Sequence, residues 1–466
     1  MEAWVRDRGG SASSEGVRRW LDAARAPLGA IFLISYAVVA FVPGSTLPTA
    51  VFLGTGLLLF AISVPFSSSF HKALALVALS VFGVALATGR LDAGGFFEGL
   101  PAYLGVVAVL LVLSMAGYPI RAARYNVQIR ALMGALTRRG VGTGATAGTL
   151  GHVLGAVLDV GAFVLVDVIS RRAVPSARIE ALTWAGRAFS FVPLWTNLNL
   201  LTATTIELTG VSYPALLAVS LPFVGLGLVA MFFVAQRGAG EVGEASKAPL
   251  DRGAAAVLLY PMVLVAAVAV ANRLLPALSL TAAIAVTVAL VVASIAVLAT
   301  VVLRRTSPLR RLADEARESL VGSHAEFAIF VSAGILVLSL EALGALAPVG
   351  DALGALPPVL VAPALAIVVG AGFVVGIHVV PLVLLINTAF PLIESPAPAL
   401  WAVAILLGAQ SALLLTPFSN SVTMLARLSE LHPLEIGPKR NWKFSIALAV
   451  ASAAYLTLLT FLLGAT

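Results

Sequence analysis

The stretch Leu413–Leu425, LLLTPFSNSVTML, places a proline and five hydroxyl or amide side chains inside a long apolar run. Those five side chains belong to Thr416, Ser419, Asn420, Ser421 and Thr423. Proline removes a backbone donor and clashes with the preceding turn, so Pro417 predicts an interrupted helix. An earlier stretch, Val192–Thr202, reads VPLWTNLNLLT and repeats this combination. Here Pro193 is followed by polar residues that include Thr196, Asn197 and Asn199.

The composition around these two polar breaks is that of a membrane protein. Of 466 residues, 60% are hydrophobic and 11% are charged, and the mean hydropathy is +1.03. Apolar runs long enough to cross a bilayer recur along the whole chain, which predicts an all-α polytopic membrane protein. The chain has no cysteine, which excludes disulfides, thiolate metal sites and cysteine nucleophiles. Its basic residues lie at the ends of apolar runs, so the net charge of +7 indicates topology and no nucleic-acid partner.

The apolar runs predict 11 transmembrane spans. Residues 1–26 precede them and predict a cytoplasmic amphipathic helix on the membrane surface, with Arg18, Arg19 and Arg25 beside Trp20. The predicted spans lie near 27–43, 47–65, 73–89, 101–117, 188–206, 212–235, 253–272, 279–303, 326–346, 398–426 and 444–463.

Two further apolar runs, 142–170 and 357–393, do not fit as single spans. Basic loops flank the first run on both sides, and loops without lysine or arginine flank the second. The positive-inside rule therefore predicts two re-entrant hairpins, which enter from the cytoplasm and from outside respectively. The N-terminus is then cytoplasmic and the C-terminus outside, in a cell (inner) membrane. Two transmembrane halves, 27–235 and 253–466, follow the inverted-repeat pattern of many transporters, with 236–252 as a cytoplasmic linker.

The polar breaks predict the two halves of one binding site. Unwound backbone inside a membrane is tolerated where it is buried in protein or lines a wet cavity. The N-terminal amides of the half-helices favour an anion, and freed carbonyls and hydroxyls can bind Na⁺. The alternative interpretation is that these serine, threonine and asparagine side chains only pack between helices.

This arrangement resembles the divalent-anion:sodium symporters of the ion transporter superfamily. The likeness rests on hairpins before the fifth and tenth spans and on polar breaks within those spans. Family members carry a Ser-Asn-Thr motif at each hairpin tip, whereas the tip regions here read TLGHVLG (Thr149–Gly155) and GIHVVP (Gly376–Pro381). The nearest match is INT (Ile386–Thr388). The resemblance implies an elevator-type secondary transporter that forms a homodimer.

Ionisable residues in the hairpins are candidates for substrate binding and ion coupling. His152 and His378 lie one in each hairpin, where a histidine can contact an anion or carry a proton. The alternative is a neutral histidine that bonds a backbone carbonyl. Asp159 lies two helical turns after His152 and is a candidate proton carrier or Na⁺ ligand. Asn387 and Thr388 add polar groups to the second hairpin.

Two other expectations concern the charged residues. Asp167 lies four residues before Arg171, which predicts an ion pair between them. Two histidines without cysteine and with few nearby carboxylates make a poor metal site, so we expect no bound metal.

These features predict a secondary active transporter of a small anion, of the carboxylate or dicarboxylate class, coupled to Na⁺ or H⁺ and without a cofactor. A Na⁺/H⁺ antiporter, an oxyanion exporter and the membrane subunit of a binding-protein-dependent transporter stay open as alternatives. An enzyme is not expected, because no predicted span carries Asp-x-x-x-Asp or His-Glu-x-x-His. A channel fits two opposed hairpins less well than alternating access does.

Overall fold

The computed structural model describes residues 12–122, 126–170, 174–237, 252–275, 277–303, 307–345, 347–374 and 397–463. Within these ranges the chain is helical with short connections, so the all-α fold expected from the sequence is confirmed. Eight described helices are long and apolar enough to cross a membrane. They coincide with eight of the predicted spans, and the remaining three predicted spans correspond to one shorter apolar helix and the two interrupted helices.

Eleven helices are described in the first half. They are α1 (Ala12–Phe41), α2 (Thr46–Ser63), α3 (Ser69–Ala87), α4 (Ala93–Leu113), α5 (Tyr118–Ala122), α6 (Asn126–Arg138), α7 (Thr143–Leu158), α8 (Gly161–Ser170), α9 (Pro175–Phe189), α10 (Leu200–Thr209) and α11 (Tyr213–Arg237).

Nine helices are described in the second half. They are α12 (Arg252–Leu274), α13 (Leu280–Leu303), α14 (Ser307–Gly322), α15 (His324–Ala342), α16 (Ala347–Gly354), α17 (Pro358–Val374), α18 (Pro398–Leu413), α19 (Asn420–Ser429) and α20 (Arg440–Leu462).

The first helix differs from its sequence-based prediction. A surface helix ending at residue 26 was expected before a separate span, but α1 runs without a break from Ala12 to Phe41 and contains Pro27. Arg25, expected at the membrane surface, is 2% exposed. Its guanidinium donates to the carbonyls of Val321 (3.2 Å) and Ile62 (2.8 Å). These partners come from other helices, which explains why the sequence pattern of α1 alone could not place Arg25.

The run 142–170 forms two short helices that pack against each other. α7 has 16 residues and α8 has 10, which at 1.5 Å per residue is about 24 Å and about 15 Å. Each is shorter than the hydrocarbon core of about 30 Å. The chain turns between them at Asp159, a non-glycine residue with φ 50°. The range 357–393 is described only to Val374, as α17, and its remainder lies outside the described residues.

Glycines allow α7 to lie close against α9. A Cβ placed on Gly151 would come within 2.8 Å of the Ala185 backbone, and one on Gly155 within 2.6 Å of the Phe189 ring. The glycines within α7 therefore serve helix packing, as small residues do in membranes.

Buried apolar side chains form two main clusters. The larger joins residues of α1–α4, α10–α13, α15, α17, α18 and α20. The smaller joins the hairpin α7–α8 with α9, α19 and the segment around Ile436. Trp195, in the first polar break, packs against both. The first break therefore lies where the two clusters meet.

Candidate functional site

Both polar breaks interrupt their helices. α9 ends at Phe189 and α10 begins at Leu200, with Pro193 in a single 3₁₀ turn between them. α18 ends at Leu413 and α19 begins at Asn420, with Pro417 between them. The prolines thus lie in the non-helical segments, as expected from a residue that cannot donate to the helical ladder.

The two breaks share their local hydrogen bonds. The Oγ1 of Thr196 accepts from the amide of Leu198 (3.2 Å), and the Oγ1 of Thr416 accepts from the amide of Phe418 (3.3 Å). The amides of Thr196 and Thr416 each donate to the carbonyl four residues earlier, at 3.1 Å in both cases. A threonine therefore closes the same turn in each break.

The half-helices that follow the breaks also begin and end alike. Asn199 caps α10 by accepting from the amide of Leu201 (3.0 Å), and Ser419 caps α19 by accepting from Val422 (3.0 Å). α10 and α19 have 10 residues each, and a residue with positive φ follows each. The same separation along the chain relates Thr196 to Thr416 and Asn199 to Ser419, so the turn-closing threonine and the helix cap correspond in the two breaks, whereas Pro193 and Pro417 do not.

A cavity of about 750 Å³ lies between the two breaks and the tip of the first hairpin. A volume of this size is typical of small-molecule sites. Six of the residues singled out in the sequence line it: Asp159, Pro193, Asn199, Ser419, Asn420 and Ser421. The cavity therefore brings together polar groups from both halves of the chain.

Other predicted site residues do not line this cavity. Thr196 and Asn197 are fully buried in the first break, where the Asn197 amide donates to the carbonyl of Val265 (3.4 Å). Thr423 is exposed, and its hydroxyl donates to the carbonyl of Ser419 (3.0 Å). His378, Asn387 and Thr388 lie outside the described residues.

His152 is enclosed by protein partners. Its Nε2 accepts a hydrogen bond from the indole of Trp195 (3.0 Å), and its Nδ1 lies 2.9 Å from the carbonyl of Ala188. An indole nitrogen only donates, so Nε2 carries no proton and Nδ1 donates to the carbonyl. This geometry favours the alternative interpretation, a neutral histidine that orients the first break.

Asp159 lies at the hairpin turn with its side chain exposed. Its backbone has φ 50° and ψ −137°, a combination that costs a non-glycine residue about 1–3 kcal/mol. Strained residues of this kind are concentrated at functional sites. The side chain faces the same cavity as Asn199 and Asn420.

The cavity combines two kinds of electrostatic feature. α10 and α19 begin at its wall, and helix N-termini favour negative charge. Asp159 and Glu326 are carboxylates that also line it, and they favour a cation or a proton. Arg121 lies at the cavity and donates to Glu315 on α14 (2.5 Å). The arrangement can therefore hold an anion and a cation close together.

Sequence reasoning missed several polar cavity residues, among them Thr204, Glu326 and Gln410. Gln410 is the amide side chain in the otherwise apolar α18, PALWAVAILLGAQSAL, and its isolation was the signal that could have drawn attention to it. Thr204 and Glu326 carry no comparable signal, because threonine and a first-turn glutamate are ordinary helix residues.

No cluster of three or more potential metal ligands occurs in the part of the chain that the structure describes. Elsewhere in the hairpin, Asp167 accepts from the Nε of Arg178 (2.7 Å). Arg171, its predicted partner, lies outside the described residues.

Comparisons with known proteins give a likeness in fold. No family model matches the sequence, and no curated protein matches it. Among solved structures, the YdaH transporter of Alcanivorax borkumensis, described as having an unusual topology, is similar with a TM-score of 0.50. The likeness covers 84% of this chain and 96% of YdaH at 16% sequence identity. At that identity it shows a shared all-helical membrane fold, and the divalent-anion:sodium symporter family stays an expectation.

Proposed function

We propose that this protein is a secondary active transporter of a small anion, of the carboxylate or dicarboxylate class, coupled to Na⁺ or H⁺. The observation that carries the proposal is the cavity where α10 and α19, one from each half of the chain, both begin. Two helix N-termini directed at one cavity stabilise a carboxylate there without requiring a buried lysine or arginine. The likeness in fold to a protein described as a transporter supports this class of function.

Coupling follows from the charges in the proposed site. While Asp159 is ionised and has no bound Na⁺, it would repel a carboxylate bound at the two helix N-termini. A Na⁺ ion or a proton on Asp159 removes that repulsion, so substrate and coupling ion would bind better together than apart. His152 and His378 remain the other proposed coupling residues, although the bonds of His152 favour a structural role.

The proposed transport cycle exposes the cavity alternately to the two sides of the membrane. By resemblance to the symporter family, the moving part would carry the hairpins in an elevator motion within a homodimer. The proposed orientation places the protein in the inner membrane with its basic loops cytoplasmic.

Ligand-dependent thermal stabilisation of the purified protein tests the proposal. Small carboxylates and inorganic oxyanions would be titrated at pH 6 and pH 8, in Na⁺ or in K⁺. We expect a carboxylate to raise the melting temperature, because binding to the folded state stabilises it by mass action. A dependence on Na⁺ would identify the symported ion, and a dependence on pH would identify a proton.

Two variants on one helix localise the effect. Asn420 and Thr423 are both exposed on α19, but only Asn420 lines the cavity. We expect Asn420→Leu to abolish stabilisation by the anion and Thr423→Val to leave it unchanged. Uptake into proteoliposomes under an imposed Na⁺ or pH gradient should follow the same order. Stabilisation that survives Asn420→Leu would place the anion elsewhere.

Asp159 supports a second candidate, a Na⁺/H⁺ antiporter. A strained carboxylate exposed to the cavity is suited to exchanging Na⁺ for a proton. The same titrations distinguish the two candidates. A melting temperature that changes with Na⁺ or with pH, but not with any anion, would favour the antiporter and contradict the anion site.

A further inference from the structure

Gln410 is a buried polar side chain on the wall of the cavity. It lies in α18, whose other core-facing side chains are almost all apolar, and it is 2% exposed. Its Oε1 atom is buried and accepts no hydrogen bond within the described part of the chain. An amide in this setting requires an explanation, since most buried polar atoms in proteins have a partner.

Thr204, on α10, has the same character. It is 3% exposed, lines the cavity, and has a buried Oγ1 without a partner among the described residues. A helical threonine commonly bonds the carbonyl four residues earlier, as Thr205 does with Leu201 (2.8 Å) and Thr209 with Thr205 (2.7 Å). The hydroxyl of Thr204 does not form this bond. α10 packs against α18, so Thr204 and Gln410 come from neighbouring walls.

Glu326 also lines the cavity with an unpartnered Oε2, but it has a structural explanation. It lies in the first turn of α15, three residues after the N-cap Ser323, where a carboxylate stabilises a helix N-terminus. Gln410 and Thr204 occupy no such position. Their oxygen atoms are acceptors for which the described part of the chain supplies no donor.

We infer that Gln410 and Thr204 accept hydrogen bonds from a donor group of the transported anion, which makes the substrate a hydroxy- or amino-substituted carboxylate. The inference rests on the proposed function, because the carboxylate is assigned to the N-termini of α10 and α19. An ammonium group on the substrate has three N–H donors and can donate to both buried acceptors, and a hydroxyl, with one O–H, can donate to one of them. The unsubstituted carboxylate leaves both acceptors unpaired. Sites with buried polar groups discriminate strongly against ligands that leave those groups unpaired.

Matched pairs of carboxylates test this assignment. Apparent dissociation constants would be measured by thermal stabilisation for succinate against 2-hydroxysuccinate and 2-aminosuccinate, and for propionate against 2-hydroxypropionate. We expect the wild type to bind a substituted carboxylate about ten-fold more tightly than its unsubstituted counterpart. Where both a hydroxy and an amino compound are tested, the comparison uses the one that binds more tightly.

The variants Gln410→Leu and Thr204→Val remove one acceptor each at nearly constant volume. Each should lower the ratio of the two constants towards one, mainly by weakening the binding of the substituted ligand. The controls are their chain neighbours, Ser411→Ala and Thr205→Val, which should keep the wild-type ratio. Both neighbours are buried, hydrogen-bonded to their own helix and absent from the cavity wall.

The melting temperature of the unliganded variants gives a second readout. Replacing an unpartnered buried acceptor by an apolar group should leave the melting temperature of Gln410→Leu at or above that of the wild type. A drop below the Ser411→Ala control would mean that the amide has a structural partner, which contradicts the inference. Thr204→Val is nearly isosteric, so its ratio of dissociation constants tests the inference even if Gln410→Leu fails to fold.

The outcomes for the inference and for the proposed function are distinct. Equal binding of both members of every pair, or a preference that survives both variants, overturns the inference and leaves the anion transporter standing. The absence of stabilisation by any carboxylate overturns the proposed function, and the inference then falls with it.

Discussion

At the scale of single residues, buried polar side chains in this protein are oriented by partners from distant parts of the chain. Arg178, on α9, donates to Asp167 of the hairpin (2.7 Å) and to the carbonyl of Leu428 on α19 (2.6 Å). Arg25 similarly joins α1 to the ends of α2 and α14. Such bonds hold together helices that are far apart in sequence.

Removal of the Arg178 guanidinium should destabilise the protein. Asp167 is fully buried, and Arg178→Ala takes away a charge-assisted bond to it together with the bond to Leu428. We expect a loss of about 3 kcal/mol in the free energy of unfolding, measured by denaturant titration in detergent. The control is Glu430→Gln, because the Glu430 carboxylate lies 3.9 Å from Arg178 and is 83% exposed. An exposed pair of this kind contributes little, so equal losses in the two variants would contradict the assignment.

The bonds of His152 predict a role in stability and favour it over the proposed coupling role. His152→Gln disturbs the bonds to Trp195 and Ala188, which should lower the free energy of unfolding by about 1–3 kcal/mol. The pH dependence of transport in proteoliposomes should keep the wild-type midpoint. A shifted midpoint would restore the interpretation of His152 as a proton carrier.

These residues show what sequence reasoning can and cannot locate at a site. The spacing of proline, serine and asparagine predicted which segments carry polar groups, and Asn199, Ser419, Asn420 and Ser421 indeed line one cavity. Depth in an apolar run does not determine which side of a segment faces the cavity, so Asn197 and His152 could not be separated from Asn199 in advance. Gln410 was missed because a single amide in a helix produces no repeated pattern.

At the scale of secondary-structure elements, the two interrupted helices are built alike. A threonine closes each break, an asparagine or serine caps the helix that follows, and that helix has 10 residues in both halves. α7 and α8 are each shorter than the hydrocarbon core, and the re-entrant hairpin inferred from the loop charges stays a prediction. The prediction for the N-terminus was less accurate, because a proline early in an apolar helix reads as a boundary although α1 continues through it.

Close helix packing at glycine gives a prediction for α17 and α18. A Cβ on Gly408 would clash with the carbonyl oxygen of Ala366, a backbone atom that cannot rotate away. Gly408→Ala should therefore force the helices apart and lower the free energy of unfolding by about 1–3 kcal/mol.

The matched control for this packing prediction is Gly54→Ala on α2. A Cβ there meets nothing within 4 Å, and alanine is about 0.5–1 kcal/mol better than glycine inside a helix. Thermal melts of both variants in the same detergent compare the two effects. A melting temperature for Gly408→Ala at or above that for Gly54→Ala would show that α17 and α18 have room for a Cβ at position 408, which contradicts the prediction.

At the scale of the whole molecule, the cavity lies between a large apolar cluster and a smaller one that contains the first hairpin. Its wall includes Ser319 and Ser323, at the end of the basic amphipathic α14, and Arg121, at the start of a basic loop. Basic segments are the cytoplasmic ones under the positive-inside rule. We therefore expect this conformation to expose the cavity to the cytoplasm.

The natural absence of cysteine makes that orientation measurable with single-cysteine variants. Phe418 lines the cavity and is exposed, so Phe418→Cys should react with a membrane-impermeant maleimide in inside-out vesicles, and a stabilising anion should slow the reaction. Glu435→Cys, on a partly exposed segment away from the cavity, should label equally with and without the anion. Labelling of Phe418→Cys only in right-side-out vesicles would reverse the proposed orientation.

The residues that follow α10 and α19 are not equivalent in chemistry although they share a conformation. Gly210 has φ 65° and Glu430 has φ 58°. Glycine adopts this left-handed region freely, whereas a glutamate there is strained. We therefore expect the protein to tolerate glycine at position 430 but not glutamate at position 210. A glycine transplanted into position 430 relieves strain, and a glutamate transplanted into position 210 introduces it, so the first half is the better template for a chimaera assembled from two copies of one half.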